Sequence, residues 1–71
     1  INKEVVMATF KYVGSNTKEN GKVDLKVGSY IFNDVTPDTF EIVVPDGSLE
    51  EKYLEQAVDV FDGTYLYIKQ S

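Results

Sequence analysis

Hydrophobic and polar residues alternate along most of this chain and switch to helical spacing once. From Val5 to Val13 the apolar Val6, Ala8, Phe10 and Tyr12 alternate with Met7, Thr9 and Lys11, the period of a half-buried strand. Lys22 to Val27 alternates strictly, with Val23, Leu25 and Val27 on one side and Lys22, Asp24 and Lys26 on the other. The polar stretch from Gly14 to Gly21 separates these two strands, and its Asn20-Gly21 step is a turn signal. Gly28 then interrupts the pattern. Tyr30-Ile31-Phe32 resumes it, which predicts a bulge or bend carrying the second strand on to its end near Asn33 and Asp34.

Thr36-Pro37-Asp38 has turn chemistry, and a third strand follows over Thr39 to Val44, with Phe40, Ile42 and Val44 inward and Glu41 and Val43 outward. Ser48-x-x-Glu51, after Pro45-Asp46-Gly47, has the form of a capping box and sets a helix start near Leu49. Leu49, Tyr53, Leu54, Ala57, Val58 and Phe61 recur at spacings that build one stripe, predicting a helix of about thirteen residues. Asp62-Gly63 stops it. The last strand, Thr64 to Lys69, is expected to turn Leu66 and Ile68 inward and Tyr65, Tyr67 and Lys69 outward.

This order, β-β-β-α-β, defines an α+β fold: a small two-layer sandwich with one helix on one face of a roughly four-stranded mixed sheet. A helical crossover makes the last strand parallel to the third or to another strand nearby, and a grasp-like arrangement puts it beside the first in the centre. The predicted core is Phe10, Leu25, Ile42, Leu54, Val58, Phe61 and Leu66. At 71 residues the chain is expected to be a single domain, 1–71, with enough apolar surface for one modest core. Its apolar runs are too short for a membrane span or a signal-peptide core, so no membrane partner is expected, and the absence of an Asn-x-Ser/Thr acceptor favours a cytoplasmic location.

Composition removes most catalytic chemistry. Cysteine and histidine are absent, which excludes a catalytic triad, a Cys-His pair and histidine-ligated zinc. All seven basic residues are lysines, so the bidentate guanidinium fork for phosphate is missing as well. Asp59-x-x-Asp62-Gly63 lacks the alternating ligands of an EF-hand, and Gly14 to Gly21 lacks phosphate-loop spacing. No enzyme activity, catalytic residue, cofactor or metal is expected.

Charge is distributed unevenly. The segment from Asp46 to Asp62 carries six acids and one lysine, a net charge of −5, while the rest of the chain is balanced. Glu50, Glu51, Glu55, Asp59 and Asp62 therefore form either a solvated helix face or an acidic surface that imitates nucleic-acid phosphates and blocks a DNA- or RNA-binding protein. The open face of the sheet is expected to gather Lys11, Lys22, Lys26 and Lys69 with Tyr65 and Tyr67. Such a face suits single-stranded nucleic acid, although tyrosines on strands and lysines at sheet edges also arise without a ligand. The acidic total makes nucleic acid a disfavoured partner. The expected function is a non-catalytic protein-protein interaction or accessory module. Its contact surface is Met7, Val43, Tyr65 and Tyr67, and its partner another protein or a second copy in a homodimer. Lysine, asparagine, tyrosine and isoleucine without arginine suggest an AT-rich genome, that of a low-GC bacterium or its phage.

Overall fold

The computed structural model describes residues 6–70. Val5, the expected start of the first strand, lies outside them. The elements are β1 (Met7–Tyr12), β2 (Val23–Val27), β3 (Tyr30–Val35), β4 (Glu41–Pro45), α1 (Leu49–Gln56) and β5 (Tyr67–Gln70). The α+β class is as expected, but the sheet is not. Five strands form two sheets, a three-stranded one in the order β4-β1-β5 and a hairpin of β2 and β3, and every pair of neighbours is antiparallel.

The division into two sheets follows from Gly28. It does not bulge the second strand; Gly28-Ser29 is a two-residue turn closing a hairpin, with Val27 opposite Tyr30. Gly28 has φ +60°, which a type II′ turn requires at its first central position and which suits glycine. The bulge lies further along, where the register shifts between Val23 and Leu25 and β3 carries an extra residue. Asp34 sits there at φ +55°, and the Asp24 carboxylate accepts a hydrogen bond from its N–H at 2.9 Å. Lys18 donates to both carboxylates, so the strand continues past Asn33 and Asp34 and delivers Val35 to the core.

The last strand does lie beside the first, with β1 central. Since β4 and β5 are both antiparallel to β1, they run the same way, and β4-α1-β5 is a crossover that skips one strand. The expected parallel relation across the helix is present in direction only; β1 intervenes, and the sheet is not mixed.

The helix starts at the expected residue with one departure from the capping box: Glu51 reaches back to the residue before the N-cap, while the Ser48 N–H bonds Pro45 O. Ser48 Oγ accepts from the Glu51 N–H at 3.1 Å, and Glu51 Oε1 accepts from the Gly47 N–H at 2.7 Å. It stops at Gln56, well short of Phe61. The continuation, Val58-Asp59-Val60-Phe61-Asp62, combines β-branched residues with two aspartates whose side chains bond nearby backbone, and both favour leaving the helix. The expected helical stripe ends accordingly. Leu54 is fully buried, but Val58 and Phe61, assigned to the core from their spacing, are exposed.

The core lies between the inner face of the three-stranded sheet, the hairpin and α1. Ala8, Phe10, Tyr12, Ile42, Val44 and Tyr67 come from the first, Val23, Leu25, Val27 and Val35 from the second, and Leu54 from the third. Phe10, Leu25, Ile42 and Leu54 are buried as predicted, and Leu66 is half-buried against them.

Candidate functional site

The surface expected to make contacts is divided by the structure. Met7, Thr9 and Lys11 share the outer face of the three-stranded sheet with Glu41, Val43, Pro45, Ile68 and Gln70. Met7 and Val43 are exposed there as predicted, but the third apolar residue beside them is Ile68. Tyr67, expected to face outward, lies instead on the inner face opposite Tyr12, buried, with the two rings edge-to-face at 5.4 Å. Tyr65 is exposed but outside the sheet, bridged to Val58.

The alternation of the last strand inverts because β5 begins only after a bend at Leu66. Leu66 donates its N–H to Ala57 O and accepts at its carbonyl from Val13, which fixes it between two segments before the ladder starts. The large tyrosine ring then takes the inward position. Lys69 shares the inner side and pairs with Glu51 at 3.0 Å, while Lys22 and Lys26 belong to or adjoin the other sheet. Of the expected lysines, only Lys11 lies on the open face, opposite Glu41, so the tyrosine and lysine platform is not assembled.

The acidic set is also divided. Glu51 is buried, and its carboxyl is held below the usual glutamate value first by the Gly47 N–H and then by Lys69. Glu50 is half-buried near Gly28, leaving Glu55 exposed on the helix. Asp59 and Asp62 lie beyond the helix and are engaged in a loop, so no continuous row of free carboxylates forms.

That loop contains the most exposed apolar residues among those described. Leu66 N–H bonds Ala57 O at 3.0 Å and Asp59 N–H bonds Thr64 O at 2.8 Å, so residues 57–66 fold back on themselves like a hairpin. Gly63 N–H closes onto Asp59 O, Asp59 Oδ1 accepts from the Phe61 N–H, and Asp62 Oδ1 accepts from both the N–H and the hydroxyl of Thr64. The Thr64 bonds hold the Asp62 carboxyl below its usual value. At the tip Val60 is 88% and Phe61 92% exposed. Helical periodicity concealed this feature; the signal that points to it is the run Asp59 to Thr64, with two aspartates and a glycine among six residues.

A second feature is an open pocket of about 520 Å³ beside β2, α1 and the start of β5, lined by apolar and aromatic side chains such as Leu25, Tyr12 and Tyr67 and about as much by polar ones such as Asn16, Asp24 and Lys26. Burial pushes the Tyr67 hydroxyl up to about 12, and burial with the nearby Asp59 charge raises Tyr12. Both stay protonated across the physiological range. Among the described residues no group of acids is arranged to hold a metal ion, and no helix is long and apolar enough to cross a membrane. Comparison with protein-family models, with curated proteins and with solved structures finds no match to this chain.

Proposed function

We propose that the chain is a small non-catalytic protein-protein interaction module whose contact element is the loop between Val58 and Tyr65. The observation that carries this reading is the exposure of Val60 and Phe61 at the tip of a loop pinned by its own hydrogen bonds. A fixed loop loses little conformational freedom on docking, so burying two apolar side chains yields net affinity rather than offsetting an ordering cost. Aromatic anchors that fill a pocket supply most of the binding energy at interfaces, and the surrounding charges mainly steer.

Asp59 and Asp62 flank the tip, and Glu55 is exposed on the adjoining helix. The complementary partner is a protein with an apolar pocket rimmed by lysine or arginine. A second copy is the poorer fit, because the chain carries −5 and its charge excess lies in the segment that includes this loop. The outer sheet face is a weaker surface. Its Met7 and Val43 are diagonal neighbours, but Ile68 lies across β1 from them, beyond Thr9 and Lys11.

The test is a photoreactive side chain introduced at position 61 and, separately, at position 43, in the cell from which the chain derives. Cross-linking from position 61 to one protein species, with none from position 43, is the expected result. Cross-linking from 43 alone would move the contact to the sheet face, and a product of twice the chain mass from either position would make it a homodimer.

A further inference from the structure

The turn that leads into β2 carries an inference independent of the loop. Asn20 is followed by Gly21, and no other asparagine of the chain precedes a glycine. Such a step is prone to spontaneous loss of ammonia, because glycine has no side chain to keep its backbone nitrogen away from the neighbouring carboxamide. Gly21 sits at φ +78° with open space where a Cβ would stand, so nothing steric shields it, and residues 18–21 are exposed to water.

The hydrogen bonds of the turn act in the opposite direction. The Gly21 N–H, whose nitrogen is the nucleophile in that reaction, donates to Lys18 O at 2.9 Å, and the Lys18 N–H donates to Lys22 O at 2.8 Å. Asn20 Oδ1 accepts from the Lys22 N–H at 2.9 Å, which fixes the carboxamide within the turn. Ring closure needs the Gly21 nitrogen stripped of its proton and brought onto Asn20 Cγ, so the bond to Lys18 O must open first. The turn is also anchored beyond its own backbone. Lys18 Nζ binds the Asp24 carboxylate at 3.0 Å and the Asp34 carboxylate as well, and Lys22 Nζ donates to Thr36 Oγ1 at 2.7 Å. Residue 18 thereby ties both backbone bonds of the turn to the β2–β3 hairpin. Lys18 first, and Asn20 to a smaller extent, hold the Asp34 carboxyl below its usual value. A carboxylate at position 20 would therefore stand beside Asp34 and compete for Lys18.

We propose that Asn20 is a latent modification site of this chain, closed by the Lys18 clamp and opened by its release. Once the turn opens, the Gly21 nitrogen loses its proton to solvent base and bonds to Asn20 Cγ, while the carboxamide nitrogen takes up a proton and leaves as ammonia. Water then opens the resulting succinimide at either carbonyl, giving aspartate or isoaspartate, and it is the only co-reactant. Isoaspartate adds a methylene to the backbone of the turn, and either product adds a negative charge near Asp24 and Asp34, so the turn does not reclose as before.

The test incubates the whole chain at neutral pH, below its melting temperature, with an isolated peptide of residues 15–25 as the unprotected reference. Conversion at position 20 is followed by mass spectrometry of proteolytic fragments, with the isoaspartate form separated by chromatography. The peptide is expected to convert at least about tenfold faster than the folded chain, the factor that two exposed hydrogen bonds of ordinary net strength supply. Lys18→Met keeps the aliphatic stem and removes the clamp; it is expected to speed conversion about threefold, in keeping with the modest worth of exposed ion pairs. Ser48→Ala, a comparable loss of stability at the helix start, is expected to leave the rate unchanged. Equal rates in the peptide and the folded chain would overturn protection by the turn. No acceleration by Lys18→Met, or equal acceleration by Ser48→Ala, would overturn the clamp as its gate.

Discussion

Phe61→Ser separates two accounts of the same residue. With 92% of its surface exposed, Phe61 contributes almost nothing through burial, and the groups that pin the loop around it are backbone and aspartate atoms that serine leaves in place. The substitution should change stability by no more than about 0.5 kcal/mol, the usual range for a surface site. A helix running to Phe61 with this residue on its buried stripe would instead lose about 3 to 5 kcal/mol. Stability of roughly 0.05 to 0.15 kcal/mol per residue leaves a chain this size little margin, and such a loss would unfold much of it. Thermal melting followed by circular dichroism distinguishes the two, since each kcal/mol moves the midpoint by about 4 to 8 °C in a domain of this length. A shift of a few degrees or less is expected for Phe61→Ser, and likewise for Val60→Ser. A fall beyond about 10 °C would refute the exposed loop and restore the longer helix.

Leu54→Ala, at a fully buried position between both sheets, should cost about 2 to 5 kcal/mol in urea denaturation; an unchanged midpoint would mean the helix does not seal the core. Ser48→Ala should cost about 1 kcal/mol, read the same way, because the Glu51 N–H loses its acceptor. The Glu51 carboxyl titrates below its ordinary 4.5 in the folded chain, so its contribution is complete above the ordinary range and is lost as pH falls through the folded value. Glu51→Gln should therefore lower stability near neutral pH and make its decline in acid shallower, whereas an acid limb parallel to that of the unsubstituted chain would contradict the assignment. The limb will not vanish, because Asp24, Asp34 and Asp62 are shifted in the same direction.

The parts of the fold legible from the sequence were those governed by local chemistry. Strict alternation located β1, β2 and β4 with their buried faces, and Ser48 with Glu51 marked the helix start to the residue. What escaped was decided by competition between local signals or by tertiary contacts. Gly28 fits a bulge as well as a two-residue turn, and the pairing of Val27 with Tyr30 chooses the turn. Val58 and Phe61 fit a helical stripe, but the aspartates between and after them bind loop backbone instead. Tyr67 turned inward because Leu66 is fixed by Ala57 and Val13, contacts that a period-two reading cannot contain. Both candidate sites depend on these same two elements, since one is the loop and the other is lined by Tyr67.

A binding titration between the chain and the protein cross-linked from position 61, at low and high salt, decides whether the loop tip is the contact element. The Val60→Ser/Phe61→Ser chain should bind that protein at least about a hundredfold more weakly while melting within a few degrees of the unsubstituted chain. Affinity of the unsubstituted chain should fall with salt only modestly, as expected where an apolar anchor supplies the energy and Asp59 and Asp62 assist encounter. Equal affinity of the two chains would show that the exposed tip is not the contact element.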